Sequence, residues 1–349
     1  MKSLNNSGRL DGIEAARGIA ALAVVLYHVA RHINKTYDLN QKYTAFQFGH
    51  SGVDLFFAIS GFIITYVHYY DIGNSAEIKQ YAFKRFIRIM PNYWIALFLT
   101  VTMAVAGGHI FPNSTELFWS ITLLPSHHEP ILGVAWTLKY EVMFYIIFSI
   151  LIINSRAGLI LIMAWGAIVL LFNTIITKSA IPDTVYGFYN YEFMLGMAAG
   201  FWLRKSQCPR PGIVLILSTI LFSATATLEN YHIVDGYANF ARILYGIPST
   251  LIILSVAELS RLGKIDSIPR FLRILGRSSY SIYLYQFIFI GALWKIFYTT
   301  GVWHSIPPSM MFLVLVGAAV LGGIMASKYI EYPLMSLLRR KIAPLLQKS

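Results

Sequence analysis

Arg17 and His28 stand eleven residues apart in the stretch EAARGIAALAVVLYHVA, residues 14 to 30. At 100° per residue this spacing returns to within about 20° of the same helix face, with an axial separation of roughly 16 Å. One face of an apolar helix therefore carries a guanidinium toward one end and a titratable base toward the other. Ionisable side chains are costly in a bilayer and tend to mark functional positions. An imidazole so placed suits proton transfer to or from a hydroxyl. Snorkelling of Arg17 and an interfacial position for His28 give the plainer account of the same pattern.

Three further stretches carry candidate chemistry. GHSGVDLFFAISGF, residues 49 to 62, brings Asp54 to a depth comparable to His28. A carboxylate there would orient an imidazole and raise its basicity, or it caps the start of its own helix. WTLKYEVMFY, residues 136 to 145, sets Glu141 roughly 10 Å below the same boundary, where a carboxylate works or pairs instead of facing lipid. Its expected partner is Lys139 or a residue of another span. FKRFIRIMP, residues 83 to 91, supplies Lys84, Arg85 and Arg88 ahead of Pro91. Arg85 and Arg88 are three apart and share a helix face, and paired guanidinium groups suit bidentate phosphate recognition. The alternative is an ordinary cytoplasmic basic cluster. His127, His128 and Glu129 are adjacent and point different ways, so no closed metal site is expected.

The elements that must position these residues are membrane spans. The 349 residues are 56% hydrophobic and only 13% charged, with mean hydropathy +0.59; a soluble domain has roughly 25% charged residues. Cys208 is the lone cysteine, which excludes an internal disulfide and a cysteine metal cluster. A span takes about 20 mostly apolar residues. Ten are expected, near 13–30, 52–70, 92–107, 134–153, 157–176, 186–203, 211–229, 240–257, 279–299 and 307–327. Segment 108–133 contains STELFWSITLLP, too short to span, and is expected to lie in the interface or fold back into the bundle. On this topology 20 Lys and Arg fall on the side of the termini and 4 on the other, which predicts both termini in the cytoplasm. The same asymmetry accounts for the net charge of +12 without nucleic acid. The expected fold is thus all-α, a polytopic membrane helical bundle. The first span lacks a small-residue cleavage site and reads as retained.

Taken in order, the Arg17/His28 pair, GVDLFFAISGF, RFIRIMP, WTLKYEVMFY, GRSSYSIYLYQF at 276–287 and YIEYP at 329–333 resemble the acyltransferase family 3 membrane proteins. The form WTLKYE is most similar to the exopolysaccharide, succinoglycan-type O-acetyltransferase branch. The resemblance runs from near residue 10 to about 335. It implies about ten transmembrane helices in a bacterial cytoplasmic (inner) membrane. It implies transfer of an acyl group, often acetyl from acetyl-CoA, to a hydroxyl of a glycan or lipid-linked saccharide. It further implies that His28 is catalytic and that Arg17, Arg85 and Arg88 act through the donor. The ninth-span motif commonly ends in histidine where this chain has Gln286, which cannot take a proton at neutral pH.

The resulting expectation is a single membrane domain over 1–335, a basic surface tail over 336–349, and no fused soluble domain. Acetyl-CoA is a substrate, and no permanently bound cofactor or metal is expected. Arg85, Arg88 and Arg17 would hold its phosphates while its arm runs outward to His28. There His28 acts as general base, its ring held by Asp54 or Glu141. An acyl-enzyme on His28 or on Ser60 is the alternative course. Trp119, Trp136 and Trp303 are candidates for stacking on sugar rings. A proton-coupled transporter or flippase for polysaccharide intermediates is the competing class, since buried His, Asp and Glu also suit proton relays.

Overall fold

A computed structural model describes residues 10–39, 43–174, 181–265 and 268–346, with side chains through residue 342. Of the charges counted above, Lys2, Arg9, Lys42, Lys178 and Lys348 lie outside the described residues. Helix is the only regular structure among the described residues. The helices are α1 (Asp11–Thr36), α2 (Gly52–Val67), α3 (Ile78–Ala106), α4 (Ser114–Thr122), α5 (Trp136–Ile153), α6 (Ser155–Thr174) and α7 (Asp183–Tyr186). They continue with α8 (Tyr189–Lys205), α9 (Pro211–Asn230), α10 (Asn239–Arg261), α11 (Arg270–Thr300), α12 (Pro308–Ala326) and α13 (Tyr332–Leu346).

Among the described residues nine helical stretches are long and apolar enough to cross a membrane. The tenth expected span, α8, has 17 residues. It is shorter and more polar than the rest because it lies inside the bundle. Its Asn190 and Glu192 are fully buried by protein, not lipid. A Cβ on Gly61 of α2 would collide with the Phe193 carbonyl of α8, and one on Gly196 with the Ala58 carbonyl. Small residues at such contacts let two backbones meet. Farther along, Arg204 Nε donates to the Tyr66 carbonyl at 2.7 Å. The succession of contacts makes α8 parallel to α2, as an even-numbered pair of crossings requires.

Close backbone contacts order the other central helices as well. Gly12, at the start of α1, lies against Val256 and Ser260, at the end of α10. Gly18 faces Leu275 and Gly276 near the start of α11, and the two helices run side by side to the contact of His32 with Trp294. Thus α1 and α11 run one way, and α2, α8, α10 and α12 the other. Residue 10 and α13 lie at the same end of the bundle, where Glu14 and Arg277 pair at 3.6 Å and Arg88 meets Glu331. By contrast α6 and α9 are apolar on all sides and largely exposed, the pattern of lipid-facing staves.

Three boundaries differ from expectation. Helix α3 starts at Ile78, ahead of the expected 92, and continues through Pro91, so Lys84, Arg85 and Arg88 ride on the same helix as the span. Proline is tolerated within membrane helices, and beside Pro91 the Tyr280 hydroxyl donates to the Ile89 carbonyl at 2.9 Å, tying α11 to α3. Helix α11 starts at Arg270, nine residues early. The tail is not separate: α12 passes through a π-helical turn, Ser327–Glu331, into α13. Segment 108–133 holds only the nine-residue α4, closed by a reciprocal Asn113–Glu116 capping box.

Candidate functional site

A cavity of about 620 Å³ opens between α1, α2, α3, α5 and α11. Arg17, Lys84, Arg85, Arg88 and Arg339 line it, against the single carboxylate of Glu141. Four of the six residues singled out from sequence, Arg17, Arg85, Arg88 and Glu141, meet there. They come from three helices, so the convergence is a property of the fold. Arg339 arrives from α13, which makes the end of the chain part of the cavity.

Each cation is held differently. Arg88 Nη1 donates to Glu331 Oε1 at 2.9 Å, and its guanidinium lies over the Tyr280 ring. Glu331 is buried in the π turn, and its other oxygen accepts from Ser281 Oγ at 2.7 Å and Ser327 Oγ at 3.2 Å. Arg85 lies between the Tyr81 and Tyr145 rings, and its buried Nε has no hydrogen-bond partner among the described residues. Arg17 likewise makes no ion pair with a described residue. Two guanidinium groups are therefore free of a fixed counter-ion, as recognition of a polyanion requires.

Glu141 faces this group. Its Oε1 accepts from Ser60 Oγ at 3.3 Å and from the Tyr145 hydroxyl in a short contact. Lys139 is not its partner: Lys139 Nζ donates to the carbonyls of Ser126 and His128 at 2.7 and 3.0 Å. Residues two apart on a helix point to opposite sides, and Lys139 serves the loop before α5.

His28 lies outside the cavity lining. Phe287 covers its ring edge-on at 4.7 Å, and Tyr27 lies 4.9 Å away. Tyr283, one turn before Phe287, does line the cavity, which therefore stops about 6 Å along α11 from the level of His28. Asp54 does not hold the imidazole. Both its oxygens accept from Arg242 Nη1 at 2.6 Å, and Asp54 is 0% exposed. The reason is topological: α2 and α10 run parallel with their first turns adjacent, so Asp54 meets a guanidinium before it meets α1. Glu141 does not hold the ring either: it lines the cavity from which His28 is absent, with its Oε1 bonded to Ser60 and Tyr145.

A carboxylate-bound imidazole does exist, at a position the sequence reading left unassigned. His50 Nε2 and Glu229 Oε1 are 2.7 Å apart, and Glu229 Oε2 accepts from the Tyr245 hydroxyl at 2.6 Å. The His50 ring stacks on Tyr237 at 4.6 Å. The Tyr237 and Tyr27 hydroxyls share a short hydrogen bond, and Arg31 Nη1 donates to Tyr27 at 3.1 Å. Glu229 and Glu192 were legible as carboxylates within apolar stretches, the same signal that marked Glu141.

A second cavity, about 450 Å³, opens at the other end of α1 and takes Tyr27, Arg31, Lys35 and Tyr237 into its wall. The remaining candidates lie elsewhere. Gln286 is fully buried and donates to the Tyr283 carbonyl at 2.9 Å. Trp136 is packed among Phe57, Tyr140 and Tyr189, Trp119 stacks on His128, and Trp303 on Tyr298; none lines either cavity. Ser60 lines the first cavity, while Cys208 is buried away from both.

Comparison with known proteins identifies the family. Residues 10–328 match the acyltransferase domain family. The chain is 29% identical over 311 residues to the exopolysaccharide production protein ExoZ of Rhizobium meliloti, covering 83% of this chain and 90% of that protein. It is 24% identical over 368 residues to the peptidoglycan O-acetyltransferase OatA of Listeria monocytogenes, covering 93% of this chain and 56% of that protein. No solved structure matches the chain.

Proposed function

The chain belongs to the acyltransferase domain family, and from that premise we propose that it moves an acetyl group from cytoplasmic acetyl-CoA to a hydroxyl of an exopolysaccharide, O-antigen or lipid-linked glycan. The observation that carries this reading is the cationic cavity, with five Lys and Arg side chains against one carboxylate. Acetyl-CoA is a polyanion at one end and a thioester at the other. Its phosphates bind Arg17, Arg85 and Arg88, with Lys84 and Arg339 at the mouth. Its arm follows the face of α1 outward, past Tyr283, over the roughly 16 Å that separates Arg17 from His28.

At the far end His28 takes the proton of the acceptor hydroxyl as its oxygen attacks the thioester carbonyl. The C–O bond forms, the C–S bond breaks, and the thiolate of CoA leaves and takes up a proton. A positioned base contributes roughly 10²- to 10⁴-fold. Phe287 lies against the imidazole and must turn aside for the thioester to arrive. The basic end of the bundle faces the cytoplasm, in keeping with the excess of Lys and Arg there. Family membership supports this enzymatic reading over a transporter or flippase.

The test is reconstitution in vesicles with acetyl-labelled acetyl-CoA and an acidic or neutral bacterial exopolysaccharide. Label moving to the glycan as an alkali-labile ester, with release of free CoA, is the expected result. Label that stays on CoA under all conditions, while glycan crosses the membrane, would overturn it.

A further inference from the structure

Resting on that reading, we propose that the second cavity is the acceptor site and that its ligand is an anionic saccharide, one bearing a carboxylate or a phosphate beside its hydroxyls. Its place fits the chemistry. The cavity opens at the end of α1 away from Arg17, and Tyr27, the residue before His28, forms part of its wall. His28 is not part of that wall, but its ring lies 4.9 Å from the ring of Tyr27, so a hydroxyl held there is one side chain away from the proposed base.

The lining names the class of ligand. Only four Lys or Arg fall on this side of the expected topology, and two of them, Arg31 and Lys35, line this one cavity. Four residues apart on α1, they share a helix face. Neither makes an ion pair with a described residue. Arg31 is anchored by the bond to Tyr27, which leaves most of its donors for a ligand. Asp38 is the one carboxylate in the described lining and pairs with neither cation. Bidentate recognition of a carboxylate or phosphate is the natural use of such a pair.

The remaining walls suit a sugar. Tyr27 and Tyr237 are tied together through their hydroxyls, and Tyr237 is backed by the stacked His50–Glu229 pair, so the rings offer fixed flat faces. Asn34 uses its carbonyl oxygen on the Tyr43 N–H and keeps its NH₂ for a hydroxyl. Few apolar side chains line the cavity, so an acyl chain has little to bury there.

The test uses the full chain in lipid nanodiscs and three probes: tetragalacturonate, the neutral tetrasaccharide cellotetraose, and polyprenyl phosphate. Wild-type protein should bind at least one of the two anions more tightly than cellotetraose. Arg31→Gln with Lys35→Gln should weaken that binding by roughly tenfold or more, leaving cellotetraose and acetyl-CoA affinity unchanged. Preference for tetragalacturonate assigns the anion to the glycan, and preference for polyprenyl phosphate assigns it to a lipid carrier. Retained acetyl-CoA binding shows that the double variant is folded; should it be lost, Lys35→Glu alone, on an exposed side chain, must weaken anion binding. Equal binding of cellotetraose by wild type, no binding of either anion, or unchanged anion binding in a folded variant overturns the proposal. Failure of wild type to bind acetyl-CoA or transfer acetyl strikes the underlying reading instead, so the two failures are distinct.

Discussion

The two cavities touch the same helix and are built on different principles. The one at the basic end gathers five cations from α1, α3 and α13 around one carboxylate, and two of its guanidinium groups have no fixed partner. The one at the far end has two cations, one carboxylate and walls of tyrosine and amide. Charge dominates the first and shape the second. A site for a common, highly charged donor gains by strong long-range attraction. A site that must choose one hydroxyl among many gains from rigid flat walls and a few placed donors. His28 follows Tyr27 on α1, within the stretch that borders the second cavity, and is in the lining of neither.

That contrast predicts four outcomes, the largest first. His28→Ala should lower acetyl transfer by roughly 10²- to 10⁴-fold without changing acetyl-CoA affinity, as read from labelled ester formed and equilibrium binding on the same preparation. A loss of donor affinity of similar size would move His28 into the basic cavity and erase the division. Asp54→Ala should destabilise the bundle by about 3–5 kcal/mol, because it leaves the Arg242 guanidinium buried without its counter-ion; thermal unfolding in detergent reads this. Replacing Asp54 and Arg242 together by apolar residues should recover much of the loss. If Asp54→Ala keeps full stability and loses only turnover, Asp54 belongs to the chemistry.

Arg17→Gln removes charge-assisted hydrogen bonds and should weaken acetyl-CoA binding by roughly 10- to 100-fold. The KM for the glycan should stay constant, and the wild-type donor affinity should fall with added salt more steeply than glycan affinity. Equal effects on both substrates would mean that one continuous site replaces two. The smallest effect is expected from Glu229→Gln. It keeps the shape but weakens the hold on His50, and should raise the KM for the glycan roughly three- to tenfold with kcat and donor affinity unaltered.

How far the sequence led differs between these regions as well. Composition and periodicity sufficed for a helical membrane bundle, because lipid demands long apolar helices whatever the tertiary detail. The basic cavity was largely visible too: Arg17, Arg85, Arg88 and Glu141 each stand out against apolar neighbours, and the bundle brings them to one wall. What was hidden was partnership. Asp54 and His28 occur at similar depths, which suggests a pair, yet depth leaves the direction around the helix axis open. The parallel packing of α8 and α10 on α2 turns Asp54 toward Arg242. The His50–Glu229 pair joins residues 179 apart, a distance at which no local spacing rule applies. The joining of α12 to α13 was missed because the charged tail resembles an interfacial helix, while it reaches the cavity through a single side chain, Arg339.

The clamp between Asp54 and Arg242 also bears on how the chain is made. The two residues are 188 positions apart, and α2 is complete long before α10 is synthesised. Asp54 must pass that interval without its guanidinium, in an environment where a lone carboxylate is costly. The first two helices are therefore a poor final product on their own. Gly52 of α2, and Gly49 just before it, pack against the Ala20 and Ala23 carbonyls of α1, but the counter-ion of Asp54 arrives only with α10. A chain truncated before residue 242 should consequently be degraded faster than the full chain, as pulse–chase labelling would measure.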